Sequence, residues 1–519
     1  MKNYRKLSYI LLFMASACSQ DVIDLQEPVG PEEENCSAVT AGSADFTKFV
    51  AIGSSYTAGF QAGALFNEGQ NNSLPAILNK QFECAGAPSQ FNQPSINTAN
   101  GYNIFISPNP VGNVVLGRML LQGLASPRPT PQVSGPEAIP NPAVNPSFIY
   151  TGGKASLNNF GIQAIVLGQA LIPETGNWAG AGTDPRFSPF YGRLAYPGNG
   201  TSTLLGDVAT AGGSFFLFWL GMDDFLLNAA FGGDPTKAPL TTAGAFDAQY
   251  KLALNNLLAS NANLKGVVAN YPNIFKMPHF TSVAWNVVPL DATTAATLKA
   301  SLADNYNAFL DGMVAKTVIT SDEAAKRKLS YAAGQNAVLI SDETLTDLSP
   351  YMAGPYAGLL PYARARQTTS ADILPLSAGT VIGTAIGGDA SKVYGVSVPL
   401  PDQYVLIPSE IIAIESARQA FNATVKSVAE ANATRVAFAN VDQALEALIT
   451  ARLMVMNNVS ITPNINPPTG IYSEDGIHPN SRGYAFLSTV IISAINSQFG
   501  STINLTNIGK YQATGLPIP

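Results

Sequence analysis

Short runs of apolar residues recur along the chain and alternate with longer amphipathic stretches. Five of these runs have the length of buried strands: residues 46–54 (FTKFVAIGS), 214–221 (SFFLFWLG), 264–272 (LKGVVANYP), 337–344 (AVLISDET) and 435–442 (RVAFANVD). A strand that helices cover on both faces is apolar at nearly every position. The runs therefore predict a parallel sheet buried between helices.

Four amphipathic stretches predict the covering helices: residues 241–264, 293–317, 409–432 and 481–500. Several begin at Ser or Thr, which are preferred at helix N-caps, and the last ends at Gly500. Alternation of strands and helices predicts a three-layer α/β/α sandwich. In such folds the functional residues lie beyond the carboxyl ends of the parallel strands.

Three long segments do not follow this alternation. Residues 104–149 are rich in proline, residues 175–205 are rich in glycine, and residues 345–405 mix short apolar pieces with both. Long irregular segments within a compact domain are usually functional loops. We interpret them as insertions around one face of a single domain that spans residues 45–519.

The N-terminus has the pattern of an export signal. Basic residues precede the apolar run 8–17 (SYILLFMASA), which is too short to span a bilayer. Small residues directly before Cys18 resemble a bacterial lipobox, although Ala15 stands where leucine is usual. We interpret residues 1–17 as a signal peptide and Cys18 as the lipid-modified cysteine. The alternative is ordinary cleavage beside an incidental cysteine.

Residues 18–44 are polar and acidic, which is typical of a flexible tether. A lipid-anchored, exported protein of the bacterial cell envelope is expected, with the outer membrane as its location. Cys36 and Cys84 are then the remaining cysteines. In an exported protein two such cysteines can form one disulfide, and the sequence does not decide whether they meet.

Composition narrows the classes of partner. The chain has 519 residues, of which 46% are hydrophobic and 12% charged, enough for a large core. Its formal net charge is −7, and no basic run occurs beyond the extreme N-terminus. This charge pattern argues against a nucleic-acid partner.

Two short motifs carry candidate chemistry. One of the two histidines, His478, follows Asp475 by three residues within 473–486 (SEDGIHPNSRGYAF). In such a pair the carboxylate fixes one ring nitrogen and leaves the other free to act as a base. The predicted strand in 49–60 (FVAIGSSYTAGF) ends at two serines, of which Ser55 is the candidate nucleophile. A polar turn with a helix cap is the alternative for the serines.

Four sequence blocks in this order resemble the SGNH/GDSL hydrolase superfamily, in particular the large exported members common in Bacteroidetes-type bacteria. The first block, Gly-Asp-Ser-Leu in the family, is Gly-Ser-Ser-Tyr at 53–56, so Ser55 matches the family nucleophile. Ser54 and Tyr56 depart from the family pattern. The fourth block, 475–479 (DGIHP), is intact.

The two middle blocks supply the family's oxyanion donors, and both depart from the family pattern. In 158–164 (NNFGIQA) Ala164 stands at the glycine position, with Gly161 as an alternative alignment. The Ala164 N–H remains a donor if its φ angle is negative. In 221–224 (GMDD) Asp223 replaces the family asparagine. An ionised carboxylate would repel an oxyanion, whereas a carboxyl group protonated by burial would donate to it.

The resemblance implies a flavodoxin-like sandwich and a serine esterase that needs neither a metal nor an organic cofactor. Ser55 would attack an ester carbonyl, His478 would accept its proton, and Asp475 would orient His478. Backbone N–H groups of Ser55 and Ala164, with Asp223, would hold the oxyanion. Small esters, lipids and acylated glycans are the expected substrates.

Other interpretations remain open. The departures from the family pattern at Ser54, Ala164 and Asp223 favour a noncatalytic surface lipoprotein that binds glycan or lipid. A structural envelope protein is a third possibility, which only the predicted lipid anchor supports. His279 follows a predicted strand and could face the site, but a loop histidine without a role is the preferred interpretation. The Asp223–Asp224 pair has no matching acidic or histidine cluster elsewhere in the sequence, which argues against a glycosidase or a metal site.

Overall fold

The computed structural model describes residues 35–104, 115–195 and 200–518. The predicted signal peptide, Cys18 and residues 18–34 of the predicted tether lie outside these ranges. The chain divides into two units, Met1–Ala38 and Val39–Pro519. Within the described ranges, no helix combines the length and apolar character needed to cross a membrane.

The larger unit begins six residues before the predicted domain start. The Ser43 N–H donates to the Phe499 carbonyl at 2.8 Å, and Ala44 belongs to the main hydrophobic core. Residues 39–44, assigned to the tether from their sequence, are therefore folded. Cys36 and Cys84 are both disulfide-bonded.

The strands, numbered in chain order, are β1 (Phe49–Gly53), β2 (Val115–Gln122), β3 (Arg128–Ser134), β4 (Asn159–Gly161), β5 (Phe215–Trp219), β6 (Lys265–Ala269), β7 (Val288–Leu290), β8 (Gly334–Asn336), β9 (Leu339–Ser341), β10 (Ala365–Gln367), β11 (Ala385–Ile386), β12 (Asp389–Val393), β13 (Val436–Ala439), β14 (Met454–Met456) and β15 (Val459–Ile461).

The α-helices are α1 (Ser55–Ala58), α2 (Asn67–Asn71), α3 (Leu74–Phe82), α4 (Pro189–Ala195), α5 (Leu204–Ala211), α6 (Asp223–Ala230), α7 (Ala243–Ser260), α8 (Pro278–Thr281), α9 (Ala292–Leu298), α10 (Asp304–Ala315), α11 (Ser321–Arg327), α12 (Pro408–Ala431), α13 (Val441–Ala451) and α14 (Ser481–Phe499).

A five-stranded parallel sheet in the order β13-β6-β5-β1-β4 forms the centre of the fold. Counted in chain order, these strands lie 2-1-3-4-5, which is a doubly wound order whose direction reverses between β1 and β5. β1 and β5 are buried at every position. Their carboxyl ends therefore open onto the position where such sheets place their ligands.

The long helices form two groups around this sheet. α14 packs with α3 and α13, whereas α12 packs with α6 and α7, and both α12 and α14 contact β6 and β13. The Asn480 side chain accepts from the Gly483 N–H at the start of α14, and Gly500 ends that helix in the left-handed conformation. The predicted α/β architecture with a parallel sheet flanked by helices is thus confirmed.

Two of the predicted elements differ in the structure. The run 337–344 does not enter the parallel sheet; its strand β9 pairs antiparallel with β10. The fifth strand of the sheet is instead β4, within the block 158–164, for which no strand was predicted. The helix predicted at 293–317 is interrupted by a π-helical segment, Lys299–Ala303.

The predicted insertions contain regular structure. Strands β2 and β3 form an antiparallel pair within residues 104–149, and β11 and β12 form another within residues 345–405. The latter segment packs with residues 288–340 in two smaller hydrophobic cores, separate from the core around the parallel sheet.

Candidate active site

The first component is the turn that follows β1. Gly53 ends the strand, Ser54 has a non-helical backbone, and α1 begins at Ser55. A Cβ atom on Gly53 would lie 1.9 Å from the Thr57 Oγ1 atom and 2.7 Å from the Trp219 carbonyl oxygen. Only glycine fits there, so the chain can turn sharply and place Ser55 at the carboxyl end of the sheet.

The Ser55 hydroxyl contacts both of the other residues predicted for the oxyanion site. The Ala164 backbone N–H donates to Ser55 Oγ at 3.0 Å, and Ser55 Oγ lies 3.2 Å from Asp223 Oδ2. The structure therefore brings Ser55, Ala164 and Asp223 together although they lie on three separate segments of the chain.

The conformation of Ala164 differs from the expected one. Its φ angle is +54°, in the left-handed region that favours glycine, whereas the sequence argument required a negative φ. The N–H donor is retained despite this strain, because it points at Ser55 Oγ. The Gly161 N–H donates to the Asn159 side chain at 2.9 Å, so Ala164 and not Gly161 supplies the donor.

Asp223 begins α6, directly beyond the carboxyl end of β5, and is buried. Burial raises the pKa of its carboxyl group, while the His478 charge and hydrogen bonds from Ser54 and Ser55, including the Ser55 backbone N–H, oppose the rise. The net raised pKa favours the protonated form more than for an exposed aspartate. The Asp223 carboxyl group also accepts a hydrogen bond from the Ser55 backbone N–H, which is a donor that an oxyanion would use.

Asp224 has a structural role beside it. Its carboxylate accepts from the Leu167 N–H at 2.7 Å and from the Thr241 hydroxyl at 2.8 Å. Burial raises its pKa to about 7. These bonds tie α6 to the segments that follow β4 and α6, and they leave Asp224 no part in the chemistry at Ser55.

The second component is the loop 473–480 before α14. The Asp475 Oδ2 atom lies 2.9 Å from His478 Nδ1 and accepts from the Gly63 N–H at 2.8 Å. Its Oδ1 atom accepts from the backbone N–H groups of Ile477 and His478, both at 2.8 Å. The predicted Asp-x-x-His pair is thus formed within one tight loop.

The electrostatics of Asp475 keep it ionised. Burial acts to raise its pKa, but the His478 charge and the hydrogen bonds from His478 and Ile477 outweigh burial and hold the pKa below its usual range. A carboxylate bound to Nδ1 holds the proton of a neutral imidazole on that nitrogen. Nε2 of His478 is then the basic nitrogen.

The His478 ring is held by aromatic neighbours from the β1 side of the site. Its centroid lies 4.6 Å from that of Phe60 and 5.5 Å from that of Tyr56. The Tyr56 hydroxyl donates to the Ile477 carbonyl at 2.7 Å, which joins α1 to the histidine loop. Nε2 of His478 is buried and has no hydrogen-bond partner among the described residues.

The site lacks one hydrogen bond of a complete Ser-His-Asp triad, the bond between Ser55 and His478. The Ser55 hydroxyl is bonded to Asp223 and not to His478. Both Ser55 and His478 are buried, with 3% and 1% of their surfaces exposed. The candidate nucleophile and the candidate base are therefore both buried, and no hydrogen bond joins the Ser55 hydroxyl to His478 Nε2.

His279 lies in the short helix α8 beside this loop and is buried, so the interpretation as a loop histidine is wrong. Its Nδ1 atom lies 2.9 Å from the Asp475 carbonyl oxygen, and burial lowers its pKa. No spacing signal could reveal this contact, because His279 and Asp475 lie 196 residues apart.

Two cavities lie away from these residues. One, about 820 Å³, is lined mainly by α9, α10 and residues of the 345–405 segment. A second, about 660 Å³, lies beyond β6 and β13. Neither is lined by Ser55, Asp475 or His478.

Within the described ranges, one trio of carboxylates has ligand atoms within 4.8 Å of one another: Glu343, Asp402 and Glu410. Burial and mutual repulsion raise the pKa of Asp402 to about 6 and that of Glu410 to about 8. This trio does not include Asp223 or Asp224.

Comparisons with protein-family models, with curated proteins and with solved structures gave no match.

Proposed function

We propose that this protein is a serine ester hydrolase of the SGNH/GDSL type. The observation that carries the proposal is the Asp475–His478 pair, whose free Nε2 lies in the same buried site as Ser55. Asp223 links the two residues, since Ser55 Oγ lies against its carboxyl group and the His478 charge acts on its pKa.

In the proposed reaction the Ser55 hydroxyl turns from Asp223 to Nε2 of His478. His478 accepts the hydroxyl proton as Ser55 Oγ bonds to the ester carbonyl carbon, and Asp475 stabilises the resulting imidazolium. His478 then returns the proton to the leaving alcohol. Water, activated by the same nitrogen, releases the carboxylic acid and restores Ser55.

The oxyanion in this reaction is held by the backbone N–H groups of Ser55 and Ala164. Asp223 contributes a third donor when it is protonated, and its raised pKa supports that state. When ionised, the same carboxyl group competes with the oxyanion for its donors. The protonation state of Asp223 therefore controls the proposed activity.

A second candidate function is a noncatalytic protein that keeps this site and binds a glycan or lipid. The observation that favours it is the Ser55 hydroxyl bonded to Asp223 in place of His478. In that account the carboxylate holds the nucleophile permanently in an unproductive position.

The substrate class and the cellular location rest on the sequence. Small esters, lipids and acylated glycans remain the proposed substrates. Lipid anchoring through Cys18 at the bacterial cell envelope, and through it contact with a membrane, remain proposals based on residues 1–34.

Hydrolysis of short and long p-nitrophenyl acyl esters tests the proposal, using the protein without residues 1–18 beside Ser55→Ala and Asp223→Asn. Activity of the wild type that is lost in Ser55→Ala is the expected result. An inert wild type with an active Asp223→Asn would instead identify a disabled hydrolase, and binding would become its better function.

A further inference from the structure

His279 is a buried histidine that the proposed reaction does not use. It lies in α8, which follows the loop after β6, and 7% of its surface is exposed. Its ring packs edge-on against Phe280, with a centroid distance of 4.9 Å. A buried polar ring next to the candidate acid–base pair requires a physical explanation.

Two hydrogen bonds join His279 to the loop 473–480, which carries Asp475 and His478. Nδ1 of its ring contacts the Asp475 carbonyl oxygen at 2.9 Å, and its backbone N–H donates to the Gly476 carbonyl at 3.0 Å. A Cβ atom on Gly476 would lie 2.6 Å from the backbone nitrogen of His279. The two backbones therefore approach as closely as glycine allows.

The first of these bonds fixes the tautomer of His279. A carbonyl oxygen only accepts, so Nδ1 carries the proton and donates it. Burial lowers the pKa of the His279 ring and so favours its neutral form, in which Nε2 is unprotonated. Nε2 is buried and has no partner among the described residues.

Asp475 thus receives bonds from both histidines of the chain. His478 binds its carboxylate, whereas His279 binds its carbonyl. The other bonds to the carboxylate come from its own loop and from Gly63. A fixed carbonyl limits rotation of the Asp475 backbone, and hence the direction of its carboxylate.

We propose that His279 is a positioning residue for the Asp475–His478 pair. Its neutral, Nδ1-protonated ring holds the Asp475 carbonyl and so keeps the carboxylate aligned with His478 Nδ1. The inference rests on the proposed hydrolase function, but the geometry that it predicts at His478 can be measured without any substrate.

Three substitutions separate this role from simple filling of space. In His279→Asn the amide nitrogen stands where Nδ1 stands and keeps the donor to Asp475. In His279→Gln the amide reaches the position of Nε2, and in His279→Leu the volume remains without a donor. A misplacement of about 1 Å at the reacting groups can cost on the order of 10²-fold in rate.

For ester hydrolysis we expect His279→Asn to keep kcat within about threefold of wild type. His279→Leu and His279→Gln should lose kcat on the order of 10-fold with KM unchanged, since a misalignment smaller than about 1 Å is expected. Wild-type kcat in His279→Leu, or an equal loss in all three variants, would overturn the proposal.

Ring NMR of histidine-labelled protein gives the readout that is independent of activity, because the chain has only two histidines. In each variant the remaining signal belongs to His478. We expect its Nδ1–H resonance to keep the wild-type shift in His279→Asn and to move in His279→Leu. An unmoved resonance in His279→Leu would overturn the positioning role.

This design also separates the two proposals. An inert wild type with the expected NMR pattern would contradict the hydrolase and support the positioning of Asp475. If His279→Leu fails to fold, the comparison of His279→Asn with His279→Gln decides by the same two measurements.

Discussion

At the scale of single residues, the site depends on the proton of one carboxyl group. Asp223 lies 3.2 Å from the Ser55 hydroxyl and is buried with a raised pKa. Protonated, it can donate to an oxyanion; ionised, it repels one and binds the nucleophile. A single aspartate in place of asparagine therefore makes the proposed activity dependent on pH.

The first prediction concerns Asp223→Asn. Wild-type kcat should fall as pH rises through the raised Asp223 pKa, because the donor is lost there, whereas asparagine donates at every pH. The ratio of variant to wild-type kcat should be near one at low pH and reach on the order of 10²–10³ at high pH. A pH–rate series measures the ratio, and a ratio independent of pH would contradict the prediction.

The second prediction concerns the strained Ala164. Glycine removes a left-handed strain of roughly 1–2 kcal/mol, and the greater entropy of its unfolded chain returns about 0.4–1 kcal/mol. Ala164→Gly should therefore raise the free energy of unfolding by about 0.5–1 kcal/mol. Urea denaturation measures the gain.

A matched control for Ala164→Gly is Ala253→Gly, a buried position inside α7. At that position glycine relieves no strain, so Ala253→Gly should lower the free energy of unfolding by about 1 kcal/mol or more. A destabilised Ala164→Gly would mean that the left-handed backbone is not strained.

The residues of the candidate site could be predicted from the sequence, but most of the hydrogen bonds between them could not. The Asp475–His478 pair lies within four residues, so spacing alone predicts its contact. The partner of the Ser55 hydroxyl depends on how β1 and β5 stand side by side, which no local pattern contains. His279 was missed for the same reason, since its contact with Asp475 spans 196 residues.

At the scale of elements, three hydrogen bonds join α1 and the turn that follows it, residues 56–63, to the loop 473–480. The Tyr56 hydroxyl binds the Ile477 carbonyl, the Ala62 N–H binds the Ser473 hydroxyl, and the Gly63 N–H binds Asp475. The segment that presents Ser55 thus also holds the loop that presents His478. Tyr56 contributes one of these bonds.

The third prediction is that Tyr56→Phe lowers both stability and the proposed activity. The substitution leaves the buried Ile477 carbonyl without its donor, which costs about 1–3 kcal/mol. Because that carbonyl precedes His478 directly, kcat should fall as well. Thermal unfolding and ester hydrolysis measure the two effects.

Tyr331→Phe is the matched control, since its buried hydroxyl donates to the Val396 carbonyl at 2.7 Å in the second half of the chain. It should lose similar stability and keep full activity. Equal activity of the two variants would show that the Tyr56 bond has no part in positioning His478.

The elements of the sheet also show what a pattern can predict. β1, β5, β6 and β13 lie within apolar runs that the sequence analysis assigned to strands, because burial on both faces requires apolar side chains. β4 has three residues and begins with asparagine, so it carries no such signal. The run 337–344 is apolar because β9 is buried in a smaller core.

At the scale of the whole molecule, the strand order 2-1-3-4-5 places the site. The order reverses between β1 and β5, and the chain leaves these strands at the segments that carry Ser55 and Asp223. Alternation of strands and helices predicts the layers, but not the two smaller cores of residues 288–407. One of these cores packs α9, α10 and α11 against short strands and loops, and the other joins mainly short strands and loops. The strand and loop residues of both cores follow no regular period.

The most direct test of the proposed hydrolase is the intact mass of the protein after treatment with a fluorophosphonate probe. The reagent bonds to a serine hydroxyl that a neighbouring base activates, whatever the natural substrate. The wild type should gain one phosphonyl group at Ser55, while Ser55→Ala and His478→Ala should gain none. An unlabelled wild type, or equal labelling of Ser55→Ala, would contradict the account of Ser55 as an activated nucleophile.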